Sequence, residues 1–422
     1  MRDGGRLAAA IAVLAEVEGR GRPVRLALKA WGEGARYAGA ADRAFVSGLV
    51  LDALRRRRSL CWRMGDESPR AQAVAALAFA WDWPPARIEA AAEAPHGPGP
   101  LTDEERVRIV SPVTLDSADP PVRGDYPDWL EPMMARAFGE ERIAEGEALA
   151  ARAPVDLRVN TLKADPERVA RALAPFQPAP SAVLPNALRM APPAAHQRAA
   201  AVEATPAFEK GWFEVQDLGS QVAAACAGEV ARLQVLDFCA GGGGKTLALA
   251  AAMGNTGQLW AHDTDARRLA EVVRRARRAG VRNLQILDPR QAEALAPLRS
   301  RIDVVFVDAP CTGSGAWRRH PDAKWRLTPA QLERRKGEQD AVLAAAADCV
   351  KPGGRLVYVT CSIFAEENED RISAFLARFP HFAPAIIGGA AESFGQGLEA
   401  LRLTPRSAGT DGFFIAALRR AR

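Results

Sequence analysis

The chain has 422 residues, of which 48% are hydrophobic, with a net charge of +5 and a pI near 9.0. This length predicts two or three domains. No apolar run approaches the roughly 20 residues that a membrane-spanning helix needs, which excludes a helical membrane protein. The beginning of the chain lacks the apolar core and cleavage site of a secretory signal, so we expect a cytoplasmic protein.

The cysteines argue against a metal site or a disulfide framework. They lie at scattered positions without a Cys-x-x-Cys pair: 61, 226, 239, 311, 349 and 361. Two of them, Cys226 and Cys349, lie within helical patterns and are interpreted as small buried apolar residues. We therefore expect no bound metal. We also expect that the protein has no membrane partner and is a monomer.

The first part of the chain is predicted to be helical. Apolar residues recur at helical spacing in three segments: Leu7–Val17, Ala44–Leu54 and Ala71–Trp81. These segments predict an all-α domain over residues 1–95. Prolines and glycines at 95–100 and again near Ser117–Pro121 interrupt the pattern, and residues 96–127 are predicted to be a linker.

Strands are predicted from the middle of the chain onward. Val155–Thr161 alternates like a strand and Pro166–Leu173 is helical in pattern, which predicts a small α+β subdomain over residues 128–212. Beyond it, helical segments separate predicted strands: Gln234–Phe238, Gln258–His262, Leu284–Leu287, Ile302–Val307, Arg355–Thr360 and Phe413–Leu418. This alternation predicts an α/β domain with a mostly parallel, Rossmann-like sheet over residues 213–422.

A glycine-rich loop joins the first of these strands to a helix. Its residues are Cys239, Ala240, Gly241, Gly242, Gly243, Gly244 and Lys245. Successive glycines let backbone amides approach a ligand. The loop matches neither a P-loop nor the GxGxxG dinucleotide motif. Asp263 ends the next strand, where an acid can accept hydrogen bonds from ribose hydroxyls. The pattern favours a class I S-adenosylmethionine fold over a purely structural turn.

Cys311 and Cys361 each follow a predicted strand of the sheet. Because the pocket of an open α/β sheet lies at the carboxyl ends of its strands, both thiols are expected beside a bound cofactor. A thiolate that adds to C6 of cytosine makes C5 nucleophilic enough to take a methyl group. The reaction also needs a base and a group near N3. The two cysteines can serve as nucleophile and base, and Asp308 can act at N3.

Four clusters of basic residues suggest a polyanionic partner: Arg55, Arg56, Arg57 and Arg58; Arg274-Arg275 with Arg277-Arg278; Arg318, Arg319 and His320; and Arg334-Arg335-Lys336. The first cluster and the pair Arg318 and Arg319 are the expected phosphate contacts. Such clusters fit phosphate contacts with nucleic acid. The alternative is that they are only solvated helix faces.

From about residue 125 to 420, the chain resembles the RsmB/NOP/Sun family of RNA (cytosine-5) methyltransferases. The resemblance rests on several motifs in the family's order: Pro154–Lys163, Val215–Gln221, the glycine loop, Asp308–Gly315, Arg319–Asp322 with Lys324 and Trp325, Thr360–Ser362 followed by Glu367–Glu369, and Asp411–Phe414. It implies S-adenosylmethionine as cofactor and RNA as substrate.

The resemblance also implies roles for individual residues. Cys361 corresponds to the family's nucleophile, and Cys311 to the cysteine that assists product release. The cofactor corresponds to the loop 239–245 and to the acids Asp263, Asp288 and Asp308. The family usually has a proline after the second alanine of the loop, whereas two glycines follow Ala240 here. We expect this change to loosen the loop and lower cofactor affinity rather than change the reaction.

The helical region resembles, more loosely, NusB-like RNA-binding domains, through Arg36–Gly39, Asp42-Arg43 and Leu54–Arg58. The expected substrate is 16S ribosomal RNA. The alternatives are a transfer RNA cytosine-5 methyltransferase, a DNA cytosine-5 methyltransferase that would use Cys311 as nucleophile, and a non-catalytic factor for ribosome assembly.

Overall fold

The structure is a computed structural model that describes residues 1–195, 197, 201–291 and 293–422. The chain divides into two compact units. The helical unit comprises residues 1–152, 192–199 and 317–327, and the α/β unit comprises residues 153–191, 200–316 and 328–422. Among the described residues, none of the helices combines the length and the apolar character that a membrane crossing requires.

The α-helices, in chain order, are α1 (Asp3–Arg20), α2 (Val24–Gly34), α3 (Ala40–Arg55), α4 (Arg57–Met64), α5 (Pro69–Ala75), α6 (Pro85–Glu93), α7 (Asp103–Val110), α8 (Pro120–Arg123), α9 (Glu131–Phe138), α10 (Arg142–Leu149), α11 (Pro166–Ala172), α12 (Pro206–Glu209), α13 (Leu218–Ala225), α14 (Gly244–Ala252), α15 (Ala266–Ala279), α16 (Pro321–Arg326), α17 (Pro329–Cys349), α18 (Glu369–Arg378) and α19 (Pro405–Ala408). The strands are β1 (Val155–Val159), β2 (Ala179–Pro180), β3 (Ala187–Met190), β4 (Phe213–Val215), β5 (Gln234–Asp237), β6 (Gln258–Ala261), β7 (Leu284–Ile286), β8 (Ile302–Asp308), β9 (Val350–Thr360), β10 (Phe382–Ala385), β11 (Ala400–Leu403) and β12 (Phe413–Arg420).

The predicted N-terminal helices are present, as α1, α3 and α5. Their apolar stripes face one another because residues three and four apart share a helix face. Leu7 and Leu14 of α1 are fully buried in one cluster with Leu49 of α3 and Val74 of α5. This cluster is the core of the helical unit.

The segment 96–127 differs from the predicted linker, because it contains helices and contributes to that core. A capping box begins α7: Glu105 N–H donates to Thr102 Oγ1 at 3.0 Å, and Thr102 N–H donates to Glu105 Oε2 at 2.8 Å. Leu101 and Ile109 are buried in the core. The helical unit also includes α9 and α10, so its boundary lies at 152 rather than 95.

The α/β unit contains two sheets. The smaller sheet has the antiparallel order β2-β3-β1-β4. Its first three strands in the chain lie in the region 128–212 where a small α+β subdomain was expected, and β4 lies just beyond it. The larger has the order β10-β12-β9-β8-β5-β6-β7, with β11 also paired to β12. It is parallel from β7 to β9, whereas β12 runs antiparallel. The predicted Rossmann-like, mostly parallel fold is confirmed; β10 and β11 were not predicted.

The strand order decides which loops are neighbours. β8 pairs with β5 on one side and with β9 on the other. The loops that follow Asp237, Asp308 and Thr360 therefore leave the same edge of the sheet side by side.

Candidate active site

The glycine loop leaves β5 above a buried acid. Asp237 is fully buried, and its Oδ2 accepts a hydrogen bond from Thr246 Oγ1 at 2.6 Å. Its Oδ1 atom has no partner among the described residues. Burial raises the pKa of Asp237 to about 7, although the Thr246 hydroxyl opposes this shift. A buried acceptor without a partner marks the floor of the loop as a place where a polar ligand group can bind.

Two of the loop glycines are required by backbone conformation. Gly241 has φ +53° and Gly243 has φ +84°, in the left-handed region that favours glycine. A side chain at Gly243 would also meet Val272 of α15 at 3.1 Å, whereas nothing lies within 4 Å of the position where a side chain at Gly241 would begin. The loop therefore packs against α15 on one side and has open space on the other.

Hydrogen bonds hold this loop, which lacks the proline that the resemblance led us to expect. Gly241 N–H donates to Asp263 Oδ2 at 2.8 Å. The Arg275 guanidinium donates to the Gly242 carbonyl at 2.6 Å, and Arg158 donates to the Gly244 carbonyl at 2.6 Å.

The two arginines were not predicted. Arg158 lies inside a motif of the resemblance and Arg275 lies in a cluster of arginines, but neither pattern predicts a contact with the loop, since Gly242 is 33 positions from Arg275.

A buried ion pair connects the glycine loop with the loop after β8. Lys245 Nζ donates to Asp308 Oδ2 at 2.7 Å, and the lysine side chain is almost fully buried. Burial lowers the pKa of Lys245, but the Asp308 carboxylate outweighs this effect and holds it above its usual value. The ammonium therefore stays charged beside Asp308.

The structure brings the two predicted cysteines together. Cys311 Sγ and Cys361 Sγ are 3.3 Å apart, although the residues are 50 positions apart in the chain. Both residues are partly accessible. The hydrogen bond to Cys361, burial and nearby negative charge raise the pKa of Cys311 well above its usual value. Cys311 therefore holds its thiol proton more strongly than an ordinary cysteine does.

Other predicted cofactor residues have more ordinary surroundings. Asp288 follows β7, and hydrogen bonds from Arg290 lower the pKa of Asp288 to about 2. Burial raises the pKa of Cys239 well above its usual value, which argues for a packing role of that thiol.

Cys226 and Cys349 are both buried, as expected. Within the described ranges, no group of three or more His, Cys, Asp or Glu side chains is arranged to hold a metal ion.

Two of the predicted RNA contacts are corrected by the structure. Arg55 is buried, with its guanidinium bonded to Asp52 at 2.7 Å and to the Arg318 carbonyl at 3.1 Å. Arg318 itself is only 4% exposed. Both lie on inner faces of the helical unit, where charges are paired internally, so neither is available to a phosphate.

The other predicted RNA contacts lie nearer the surface. Arg56 is exposed and Arg319 is partly exposed. Arg57 pairs with Glu18, and Arg58 pairs with Asp128.

A Rossmann-like sheet with a glycine loop after one strand and an acid after the next defines a class I methyltransferase that uses S-adenosylmethionine. Two family descriptions match this chain: "16S rRNA methyltransferase RsmB/F" over residues 228–419, and "Methyltr_RsmF/B-like, ferredoxin-like domain" over residues 126–197. The chain belongs to the RsmB/F family of methyltransferases, as the motifs predicted.

Individual relatives agree with this assignment. The chain is 34% identical over 308 residues to a probable ribosomal RNA small subunit methyltransferase B of Synechocystis sp., with 70% of this chain and 67% of the relative matched. It is 32% identical to ribosomal RNA small subunit methyltransferase B of Citrobacter koseri, with 69% and 66% matched. The match thus spans about two thirds of each relative.

Two solved structures are also similar. The crystal structure of PH0851 has a TM-score of 0.71 and 25% identity, and covers 100% of this chain and 99% of its own. A methyltransferase homologue from Pyrococcus horikoshii has a TM-score of 0.59 and 28% identity, and covers 73% and 100%.

Proposed function

We propose that this chain transfers a methyl group to C5 of a cytosine in structured RNA, with 16S ribosomal RNA as the substrate and the cytoplasm as the place of action. The observation that carries the chemistry is the 3.3 Å separation of Cys311 Sγ and Cys361 Sγ. One thiol can attack the ring while the other exchanges a proton. The names of the relatives support ribosomal RNA as the substrate.

The residues around the glycine loop fit S-adenosylmethionine. Open space beside Gly241 and the unpartnered Oδ1 of Asp237 provide room and a polar contact. The cofactor would be held by the loop 239–245, with Asp263, Asp288 and Asp308 as the acids around it. When bound, the cofactor supplies an electrophilic methyl group on a sulfonium sulfur.

We propose that Cys361 acts first, as a thiolate that adds to C6 of the cytosine. Electrons of the C5–C6 double bond then become available at C5, which takes the methyl group. Asp308 would face the ring near N3, and the Lys245 ammonium bonded to it supplies the positive charge that offsets the negative charge developing on the ring on addition. The result is a methylated ring that is still bonded to the Cys361 sulfur at C6.

Product release requires loss of the proton at C5. Cys311 is proposed to assist as the base: once its own thiol proton has passed to solvent, its thiolate takes the C5 proton, after which the electrons of the C5–H bond re-form the C5–C6 double bond and expel the Cys361 thiolate. Methylated cytosine and free enzyme result. Cys311 is close enough to Cys361 for its sulfur to reach the same edge of the ring.

A direct test incubates the purified full chain with labelled S-adenosylmethionine and, in separate reactions, with 16S ribosomal RNA, transfer RNA or duplex DNA. We expect 5-methylcytosine in the ribosomal RNA alone. Labelled transfer RNA or DNA would change the substrate assignment. No 5-methylcytosine in any of the three would overturn the proposed reaction.

Asp263→Asn is expected to weaken cofactor binding about ten- to a hundredfold, because charge-assisted hydrogen bonds contribute about 1.5–3 kcal/mol. The carboxylate also accepts the Gly241 N–H, so the substitution perturbs the loop as well. Calorimetric titration with S-adenosylmethionine measures the effect, and Asp265→Asn is the matched control. Equal affinity in wild type and Asp263→Asn would assign the ribose contact to another acid.

We also propose that the helical unit, with its resemblance to NusB-like domains, binds RNA. Arg56→Gln is expected to weaken RNA binding and to reduce the slope of log affinity against log salt by about 0.7–0.9, because one exposed phosphate contact is lost. The thermal midpoint should not change. A filter-binding salt series measures the slope.

The neighbouring Arg55→Gln is the matched control. It is expected to lower the free energy of unfolding by about 3 kcal/mol, because it removes one partner of a buried ion pair. Any weaker RNA binding should follow from this lost stability. If Arg56→Gln leaves the salt slope unchanged, Arg56 is not a phosphate contact.

A further inference from the structure

Glu367 is a fully buried acid between the two cysteine loops. Its Oε1 accepts the Thr312 N–H at 2.8 Å and the Gln339 side-chain amide at 3.0 Å. Its Oε2 accepts short hydrogen bonds from the hydroxyls of Thr312 and Ser362. All of these donors are neutral groups of the α/β unit.

Two of the donors are the chain neighbours of the cysteines. Thr312 follows Cys311, and Ser362 follows Cys361. A single side chain therefore holds the residues beside both sulfurs.

The two cysteine loops are also joined directly. Gly315 N–H donates to the Cys361 carbonyl at 2.9 Å, and the hydroxyls of Ser314 and Ser362 lie 3.0 Å apart. Asn368, which follows Glu367 in the chain, donates to the Ser362 carbonyl at 3.0 Å and accepts from the Thr360 hydroxyl at 2.6 Å. The separation of the sulfurs is thus fixed by a buried network rather than by either loop alone.

Stability of the fold does not by itself account for a carboxylate at position 367. Burying a carboxylate without a cationic partner has a large desolvation cost, and an amide of the same shape would accept or donate most of these bonds at lower cost. The charges around the sulfurs are arranged unequally. The carboxylate of Glu367 is one of the groups that raise the pKa of Cys311. Cys361, in contrast, lies near the Lys245 ammonium and helps to raise the pKa of that lysine.

From this geometry we infer that Glu367 is a positioning residue. It holds the loops of Cys311 and Cys361 at reacting distance, and its carboxylate, bonded to the backbone N–H of the residue after Cys311, disfavours a negative charge on that sulfur. This inference rests on the proposed function, since it concerns the two thiols to which that function assigns the reaction. The charged or titratable groups that act on Cys311 are Cys361, Glu367 and Tyr358 of β9. The Asp340–Arg371 pair of α17 and α18 acts on Tyr358, and Lys245, bonded to Asp308, acts on Cys361.

The test measures alkylation of Cys311 by iodoacetamide in Cys361→Ser protein, where Cys311 is the remaining thiol of the pair. Peptide mass spectrometry separates it from the other cysteines. Adding Glu367→Gln should raise the rate at pH 8 about tenfold, which corresponds to about one pKa unit. Glu369→Gln, whose carboxylate bonds Arg402, is the matched control and should not change the rate. An unchanged rate in Glu367→Gln would overturn the inference.

The variant Glu367→Asp provides a second test of the inference, which can be used even if Glu367→Gln does not fold. It keeps the charge but is one methylene too short to reach both Thr312 and Ser362. Alkylation of Cys311 should stay as slow as with Glu367, while kcat, measured with Cys361 intact, should fall about tenfold at unchanged KM for RNA. Fast alkylation or an unchanged kcat would overturn it. Alkylation requires neither RNA nor cofactor, so an inactive wild type would count against the proposed function alone.

Discussion

Cys361→Ser is expected to abolish methyl transfer, by at least about a thousandfold, because a serine hydroxyl is a far weaker nucleophile toward C6 than a thiolate. Cofactor binding should be almost unchanged, since the sulfur acts on the base and the glycine loop is held by other contacts. Single-turnover transfer of labelled methyl groups to 16S ribosomal RNA measures the loss, and calorimetry measures binding.

The matched control is Cys349→Ser, at a cysteine buried in the apolar core, which should affect stability but not the rate of transfer per folded molecule. Substantial activity in Cys361→Ser would contradict the assignment of the nucleophile. It would give that role to Cys311, which is the arrangement expected of a DNA cytosine-5 methyltransferase. Loss of cofactor binding in Cys361→Ser would mean that the substitution damages the pocket.

Cys311→Ala is expected to trap the enzyme on its RNA rather than to make it inert. Cys361 can still form the bond to C6, but the group proposed to take the C5 proton is missing, so the adduct resolves slowly or not at all. The expected result is a protein–RNA band that survives a denaturing gel. It should require S-adenosylmethionine for methyl incorporation.

The doubly substituted protein, Cys311→Ala with Cys361→Ser, is the control and should give no such band. A band in the double variant would show that another residue forms the bond. Normal turnover by Cys311→Ala would make its role structural, despite its sulfur lying 3.3 Å from that of Cys361. The two outcomes are separable, because the first concerns bond formation and the second concerns release.

The glycine loop is held by contacts from residues outside the motif, which a comparison of motifs does not show. The absent proline predicted a looser loop and weaker cofactor binding. In the structure, Arg275, Arg158 and Asp263 hold three of its glycines by hydrogen bonds. Hydrogen bonds to the backbone restrict a loop as a proline does, though through contacts that lie far away in the sequence.

Sequence alone predicted the main strands of the larger sheet and the methyltransferase class of this protein. The strands before Asp237, Asp308 and Cys361 were predicted to within a few residues, because alternation of buried runs with helical segments is a local signal. Functional groups at the ends of parallel strands are local signals too, since strand ends of one sheet share an edge. The methyltransferase class followed from the same motifs.

Only the tertiary structure decided how these pieces are used. Arg55 and Arg56 are neighbouring residues of the same type. Arg55 is nevertheless buried against Asp52 and the carbonyl of Arg318, whereas Arg56 is exposed. Glu367 reaches Thr312 across 55 positions. Burial and contacts of this kind depend on packing between distant segments, which periodicity and motif spacing do not encode.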